Sequence, residues 1–207
     1  MGFFVLFLRC SEFFSIFHCL FCLLYFVFIY RTNILPINLG RRNGMTKNLH
    51  QISNYIASNS TFCLISHPHR SKVHTIISDK HGKVIYPNKP LKIIRNTCRL
   101  HGSSYEASNY NAKLFFGKSK HKLPIMVAYD FGDPCILFPL FSPHSSQNIW
   151  ISLHAIVNIN ELGNETIVTF IDGSEERLPI HMKSFNHQYV RAAMYYKHLI
   201  AKRNSKL

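Results

Sequence analysis

Between Glu165 and Ile180 the chain dictates its own local geometry. Thr166, Val168 and Phe170 alternate with Ile167, Thr169 and Ile171, Asp172-Gly173 follows, and Glu175 to Ile180 resumes an extended run. Period-two alternation running into an Asp-Gly pair specifies two antiparallel strands joined by a tight turn. The same reading gives strands at Thr61–Ser66 and Val73–Ser78, then a turn at Asp79-Lys80-His81-Gly82 into Val84-Ile85-Tyr86. Further strands are expected at Leu123–Tyr129 and Cys135–Leu140, and one more from Ile149 to Asn160.

Helical spacing occurs twice. Leu91, Ile94 and Cys98 recur at helical intervals behind Pro90, a residue suited to a first turn. From Ser184, a potential cap, to about Arg203, the residues Phe185, Tyr189, Ala192, Ala193, Tyr196 and Ile200 share one face. Gly102 to Gly117, rich in Ser and Asn, reads as a loop, and Met45 to Ser58 as a mobile arm. The fold class is therefore α+β: an antiparallel β-sheet core, a helix near residues 90–100 and a C-terminal amphipathic helix.

Residues 1–44 differ in kind from the rest. Phe13 to Tyr30 holds 18 residues with no formal charge. No positive charge leads this run closely and no small-residue cleavage site follows, so a secretory signal fits poorly. Two readings stay open. One is a single membrane helix at the lower length limit, with Arg31, Arg41 and Arg42 behind it and the remainder facing the cytoplasm. The other is a mis-assigned start: Arg41-Arg42 can be encoded by AGGAGG, a ribosome-binding sequence placed just upstream of Met45. On that reading Met45 is the working start, and residues 45–207 form a single domain.

Charge and cysteine use narrow the function. From Met45 onward there are 20 Lys and Arg against 9 Asp and Glu. Such an excess attracts polyanions, either nucleic acid or anionic membrane. Cys63, Cys98 and Cys135 are odd in number and lack framework spacing, as in a reducing compartment. His67, His69, His74 and His81 lack acidic or Cys partners at ligand spacing, so no metal is assigned. Cys98 with His101 has no orienting carboxylate, and no phosphate-cradling Gly loop or nucleotide fingerprint is present. The residues thus argue against an enzyme and imply no cofactor.

Basic residues carry the remaining signal. Lys113, Lys118, Lys120 and Lys122 fall within ten residues, beside Tyr110, Phe115 and Phe116. Four such charges fit consecutive phosphates, although a solvated lysine-rich loop looks the same. Arg95 and Arg99 are four apart on the first helix. Arg191, His198 and Lys202 are expected opposite the apolar face of the last helix, with Arg203 at its end. These ten residues are the candidate DNA contacts.

Five strings occur in fixed order: C-R-L-H-G-S-S-Y-E from Cys98, K-L-P-I from Lys122, L-F-P-L-F-S-P from Leu137, I-W-I-S-L-H-A-I from Ile149 and S-F-N-H-Q-Y-V-R-A from Ser184. In this order they resemble the competence transcription factor (ComK) family of Gram-positive bacteria. The markers include Cys98, Gly102, Ser103, Ser104, Tyr105, Glu106, Trp150, Phe185 and Gln188. The resemblance implies a cytoplasmic activator of DNA-uptake and recombination genes that binds AT-rich boxes of double-stranded DNA through the minor groove. It also implies a homodimer or higher oligomer on DNA, RNA polymerase as a partner, and control by a Clp-protease adaptor. Ala107-Ser108 stand where the family has Gly and a basic residue, and Leu140 where it has Thr. The reading from another class is a membrane-anchored basic interaction protein, with residues 13–30 as the anchor.

Overall fold

The alternating segments pair as the sequence directs. In the computed structural model, which describes residues 49–205, β1 (Thr61–His69), β2 (Lys72–Asp79) and β3 (Gly82–Tyr86) form an antiparallel meander. Next come α1 (Pro90–Leu100), α2 (Tyr105–Phe116), β4 (Ile125–Asp130), β5 (Asp133–Pro139) and β6 (Ile149–Ser152). They complete a six-stranded sheet ordered β3-β2-β1-β6-β5-β4, antiparallel throughout. A 3₁₀ turn at Leu153–Ala155 leads into β7 (Ile156–Leu162), β8 (Glu165–Phe170) and β9 (Glu175–Leu178), which form a second sheet. The C-terminal α3 (Met182–Asn204) closes the α+β fold.

Two cores lie on opposite faces of the large sheet. Leu64, Ile77, Leu137 and Trp150 point one way and pack with Leu91, Ile94 and Cys98 of α1 and Tyr105 of α2. Phe62, Ile136, Phe138 and Ile151 point the other way, toward Phe170 of the second sheet and Phe185, Ala192 and Tyr195 of α3. Both faces of β5 are therefore covered, which is why Cys135–Leu140 reads as a continuous apolar run. Burying each such side chain stabilises the fold by about 1.5–3 kcal/mol, so Phe138→Ala would be among the costliest single changes.

Four expectations need correction. Gly102–Gly117 is largely helix: the Ser104 hydroxyl caps α2 by accepting from the Ala107 N–H at 3.0 Å. Its buried stripe is Tyr105, Ser108 and Ala112, while Tyr110 and Leu114 face solvent, so the apolar periodicity is faint. The expected strand Ile149–Asn160 is two strands in different sheets, split by the 3₁₀ turn at Leu153–Ala155 just before Ile156 and Val157 break the alternation. The described part of the arm is tied down: Ile52 and His50 bond to Ile85, and the buried Ala57 donates to Thr97 Oγ1. The last helix begins three residues before Phe185 with His181, not Ser184, as its cap.

Among the described residues no helix is long and apolar enough to cross a membrane. The membrane-segment and mis-assigned-start readings for residues 1–44 lie outside the described residues.

Candidate nucleic-acid interface

The β1–β2 hairpin outgrows its sheet. β6 pairs with β1 no further than Ile65, and β3 pairs with β2 only from Thr75 onward. Beyond these, His67↔His74, Pro68↔Val73 and His69↔Lys72 pair with each other alone. The result is a two-stranded ribbon with Arg70-Ser71 at its tip, exposed from His67 to Lys72. Arg70 has φ 52, a left-handed conformation that a side chain adopts at a cost. His69 and His74 stack at 4.6 Å. Partial desolvation, then the neighbouring His69, His67 and Lys72, hold the His74 imidazole below its usual pKa. Among the described residues no cluster of three or more His, Cys, Asp or Glu is arranged for a metal.

Antiparallel order brings distant segments to this same end of the sheet. β1 ends there, β2 begins there, and β3 and β5 run toward it while β4 and β6 leave it. The ribbon, the start of α1, Lys122, the β5–β6 loop and the start of α3 are therefore neighbours. Two cavities mark the junctions. One of about 590 Å³ is lined by Lys72, Lys89, Lys92 and Arg95 together with His144 and Asn148. Another of about 810 Å³ is lined by Lys122, Lys183, His187 and Gln188 with Leu140, Phe141 and Val190. The β5–β6 loop contributes to both, and neither is lined by an Asp or Glu. Asp79, Asp130 and Asp133 stand at strand ends at the opposite end, Glu161, Glu165, Asp172, Glu175 and Glu176 belong to the second sheet or its turns, and Glu106 in the first turn of α2 pairs with Arg95. Cations that outnumber acids, as these do with Glu106 alone paired among them, focus a field that recruits polyanions.

The candidate contacts do not form one surface. Arg95 lines the first cavity, with its guanidinium 3.1 Å from Glu106 and 5.7 Å above the Tyr105 ring. Arg99 follows one turn later, exposed. Lys113 lies in the last turn of α2, and Lys118 and Lys120 are exposed between α2 and β4. Lys122 lines the second cavity and has φ 55. Arg191, His198 and Lys202 are not opposite the apolar face, because Gln188 and Tyr195 rotate the buried stripe toward them. His198 stacks on Phe115 at 4.3 Å, and the solvent face runs through Lys183, His187, Val190, Met194 and Lys197. Arg203 donates to the Gly132 carbonyl in the β4–β5 turn, at the far end from the ribbon.

The sequence reading passed over Arg70, Lys72, Lys89, Lys92 and Lys183. No single window unites them; the available signal is that every segment reaching this end lacks Asp and Glu.

The marker strings acquire structural jobs. In C-R-L-H-G-S-S-Y-E, Gly102 takes φ 71 just past α1, Ser103 N–H donates to Cys98 O at 2.9 Å, and Ser104 starts α2. That is one helix stop followed at once by a helix start. Burial pushes the Cys98 thiol up to about 11 and the Cys135 thiol to about 12, so both are poor nucleophiles near neutral pH. Trp150 and Phe185 are fully buried in the two cores.

The family model described as "ComK protein" matches residues 52–204. A protein named "Competence transcription factor" from Bacillus subtilis (strain 168) is 35% identical over 150 residues, spanning 69% of this chain and 73% of that protein. No solved structure matches this chain. With most of its length covered by both matches, the chain belongs to the ComK family.

Proposed function

We propose that this chain is a transcription factor for competence that binds double-stranded DNA at the cationic end of the large sheet. One observation carries the reading: the ribbon tip, the α1 start, Lys122 and the α3 start bring Arg70, Lys72, Lys89, Lys92, Lys122 and Lys183 to one end, with Arg95 beside them paired to Glu106. Cationic contacts to successive phosphates supply affinity that falls with salt. The protruding ribbon supplies a reading element, since its tip arginine suits the narrow, electronegative minor groove of A·T-rich DNA. Family membership and the name of the Bacillus subtilis relative support the competence role. On this reading the protein acts in the cytoplasm as an activator of DNA-uptake and recombination genes. It binds as a homodimer or higher homo-oligomer, engages RNA polymerase, and is controlled by a Clp-protease adaptor.

The test is a gel-shift titration on AT-rich and GC-rich duplexes of equal length, with a minor-groove ligand as competitor. Tighter, ligand-sensitive binding to the AT-rich duplex is expected. Equal affinity for both duplexes, or affinity unaffected by salt, would contradict the reading.

A further inference from the structure

The register of the β1–β2 ribbon sorts its side chains onto two faces. Residues that alternate along a strand share a face, and so do residues directly opposite on the partner strand. His67 pairs with His74 and His69 with Lys72, with no register shift beyond Cys63, so these four lie on one face. The His69 and His74 rings stack at 4.6 Å, a contact open to diagonal neighbours on such a face. Pro68 and Val73 take the other face, and Val73 lines the cavity beside α1. One side of the projection therefore holds three imidazoles and an ammonium, with His67, His69 and Lys72 exposed.

Cations around this face outnumber acids. Arg70 stands at the tip, Lys89, Lys92 and Arg95 belong to the α1 start, and His144 belongs to the β5–β6 loop. Lys183 and His187 stand at the start of α3. Glu106 is bound to Arg95. On the imidazole side of the sheet Glu176 of β9 is bound to Lys83, which pairs with Ser78, four residues along β2 from His74. Glu161 of β7 faces His181 at 3.5 Å. Desolvation holds the His74 imidazole below its ordinary pKa, and the groups that act on it by charge, His69, His67 and Lys72, are all basic. Like charges placed directly opposite each other on a ribbon are destabilising, so the protonated face calls for an anion from outside.

We propose that the imidazole face of the ribbon is a proton-coupled DNA contact, in which His67, His69 and His74 take up protons from solvent as they meet the phosphates. The inference rests on the DNA-binding reading. Histidine is the side chain whose charge ordinarily changes between pH 5 and 8. In the free protein, three imidazolium ions beside Lys72 would repel one another, which favours neutral rings. DNA phosphates stabilise the charged rings and accept their N–H groups in charge-assisted hydrogen bonds. Binding then draws protons onto the ribbon, so duplex affinity rises as pH falls, about tenfold per pH unit for each proton taken up.

The experiment is titration of the full chain with an AT-rich duplex at pH 7.5 and 6.0 and fixed ionic strength. Calorimetry in two buffers of different protonation heat counts the protons taken up. The native protein should bind at least about fivefold more tightly at the lower pH, with net proton uptake. The triple variant His67→Gln, His69→Gln, His74→Gln should change less than about twofold between the two pH values. A control with His81→Gln and His101→Gln, exposed positions toward the other end of the sheet, should keep the native pH dependence. Should the triple variant fail to fold, His67→Gln alone, at an exposed position, should lower the proton count. Native pH dependence in the folded triple variant, or a native proton count in His67→Gln, overturns the inference. Duplex binding unaffected by pH, without proton uptake, also overturns it and leaves the DNA-binding reading standing. Absence of duplex binding at both pH values contradicts that reading and the inference with it.

Discussion

The Arg95 guanidinium lies 3.1 Å from the Glu106 carboxylate, joining α1 to the first turn of α2. Tyr105, one residue earlier, lies beneath the same guanidinium. The Tyr-Glu pair at the end of the first marker string therefore holds an arginine at the wall of the cationic cavity.

Glu106→Gln should have little effect on stability. Both partners are substantially exposed, at 42% and 64%, and such pairs contribute about 0–1 kcal/mol. Its effect on DNA should be larger and of telling sign. Removing a negative charge would strengthen binding if only net charge mattered. Loss of Arg95 ordering should instead weaken binding about two- to tenfold, the cost of immobilising one freed side chain. A binding isotherm on the AT-rich duplex reads the sign directly, and tighter binding would show that Glu106 does not position Arg95.

Alkaline pH should destabilise the protein relative to neutral pH. Burial raises the Cys63, Cys98 and Cys135 thiols, to about 11 for Cys98 and about 12 for Cys135. The neutral thiol is thus favoured in the folded state. Its contribution is fully present below the unfolded pKa, near 9, and is lost as pH rises through the folded values. Each thiol adds a slope of at most about 1.4 kcal/mol per pH unit in that window. Urea midpoints between pH 7 and 11 check this, and Cys98→Ala should flatten the fall. A midpoint that is constant to pH 11 would contradict the buried-thiol assignment.

Gly132→Ala separates stability from binding. Gly132 has φ +89, and a Cβ there would meet only Arg203 Nη1 at 3.5 Å, an ordinary contact. The penalty is therefore conformational, about 1–2 kcal/mol, readable as a lowered urea midpoint. The β4–β5 turn lies at the end of the sheet opposite the ribbon, so duplex affinity should change less than about twofold. A large loss of affinity in the folded variant would place DNA at the wrong end.

What the sequence made legible followed from periodicity and turn chemistry. The Glu165–Ile180 hairpin, the Val73–Tyr86 meander and α1 behind Pro90 each had a local signal, and each formed. α2 was missed because, past Tyr105, its buried stripe is Ser108 and Ala112, residues too small to write an apolar period. The 3₁₀ break at Leu153–Ala155 was missed because both flanking strands are apolar and only the change of sheet distinguishes them. The cationic end was illegible for a different reason. Arg70, Lys89, Lys122 and Lys183 are far apart in the chain, and strand order alone makes them neighbours.

The central claim is that DNA lies on the cationic end of the six-stranded sheet, and the salt dependence of duplex binding tests it most directly. Each cation that neutralises a phosphate contributes about 0.9 to the slope of log affinity against log salt. A variant with Arg70, Lys72, Lys89 and Lys92 changed to Gln should lose a slope of about 2 to 4. A control with Lys80 and Lys197 changed to Gln, exposed residues away from that end, should keep the native slope. An unchanged slope in the first variant, or an equal loss per charge in the control, would contradict the assignment.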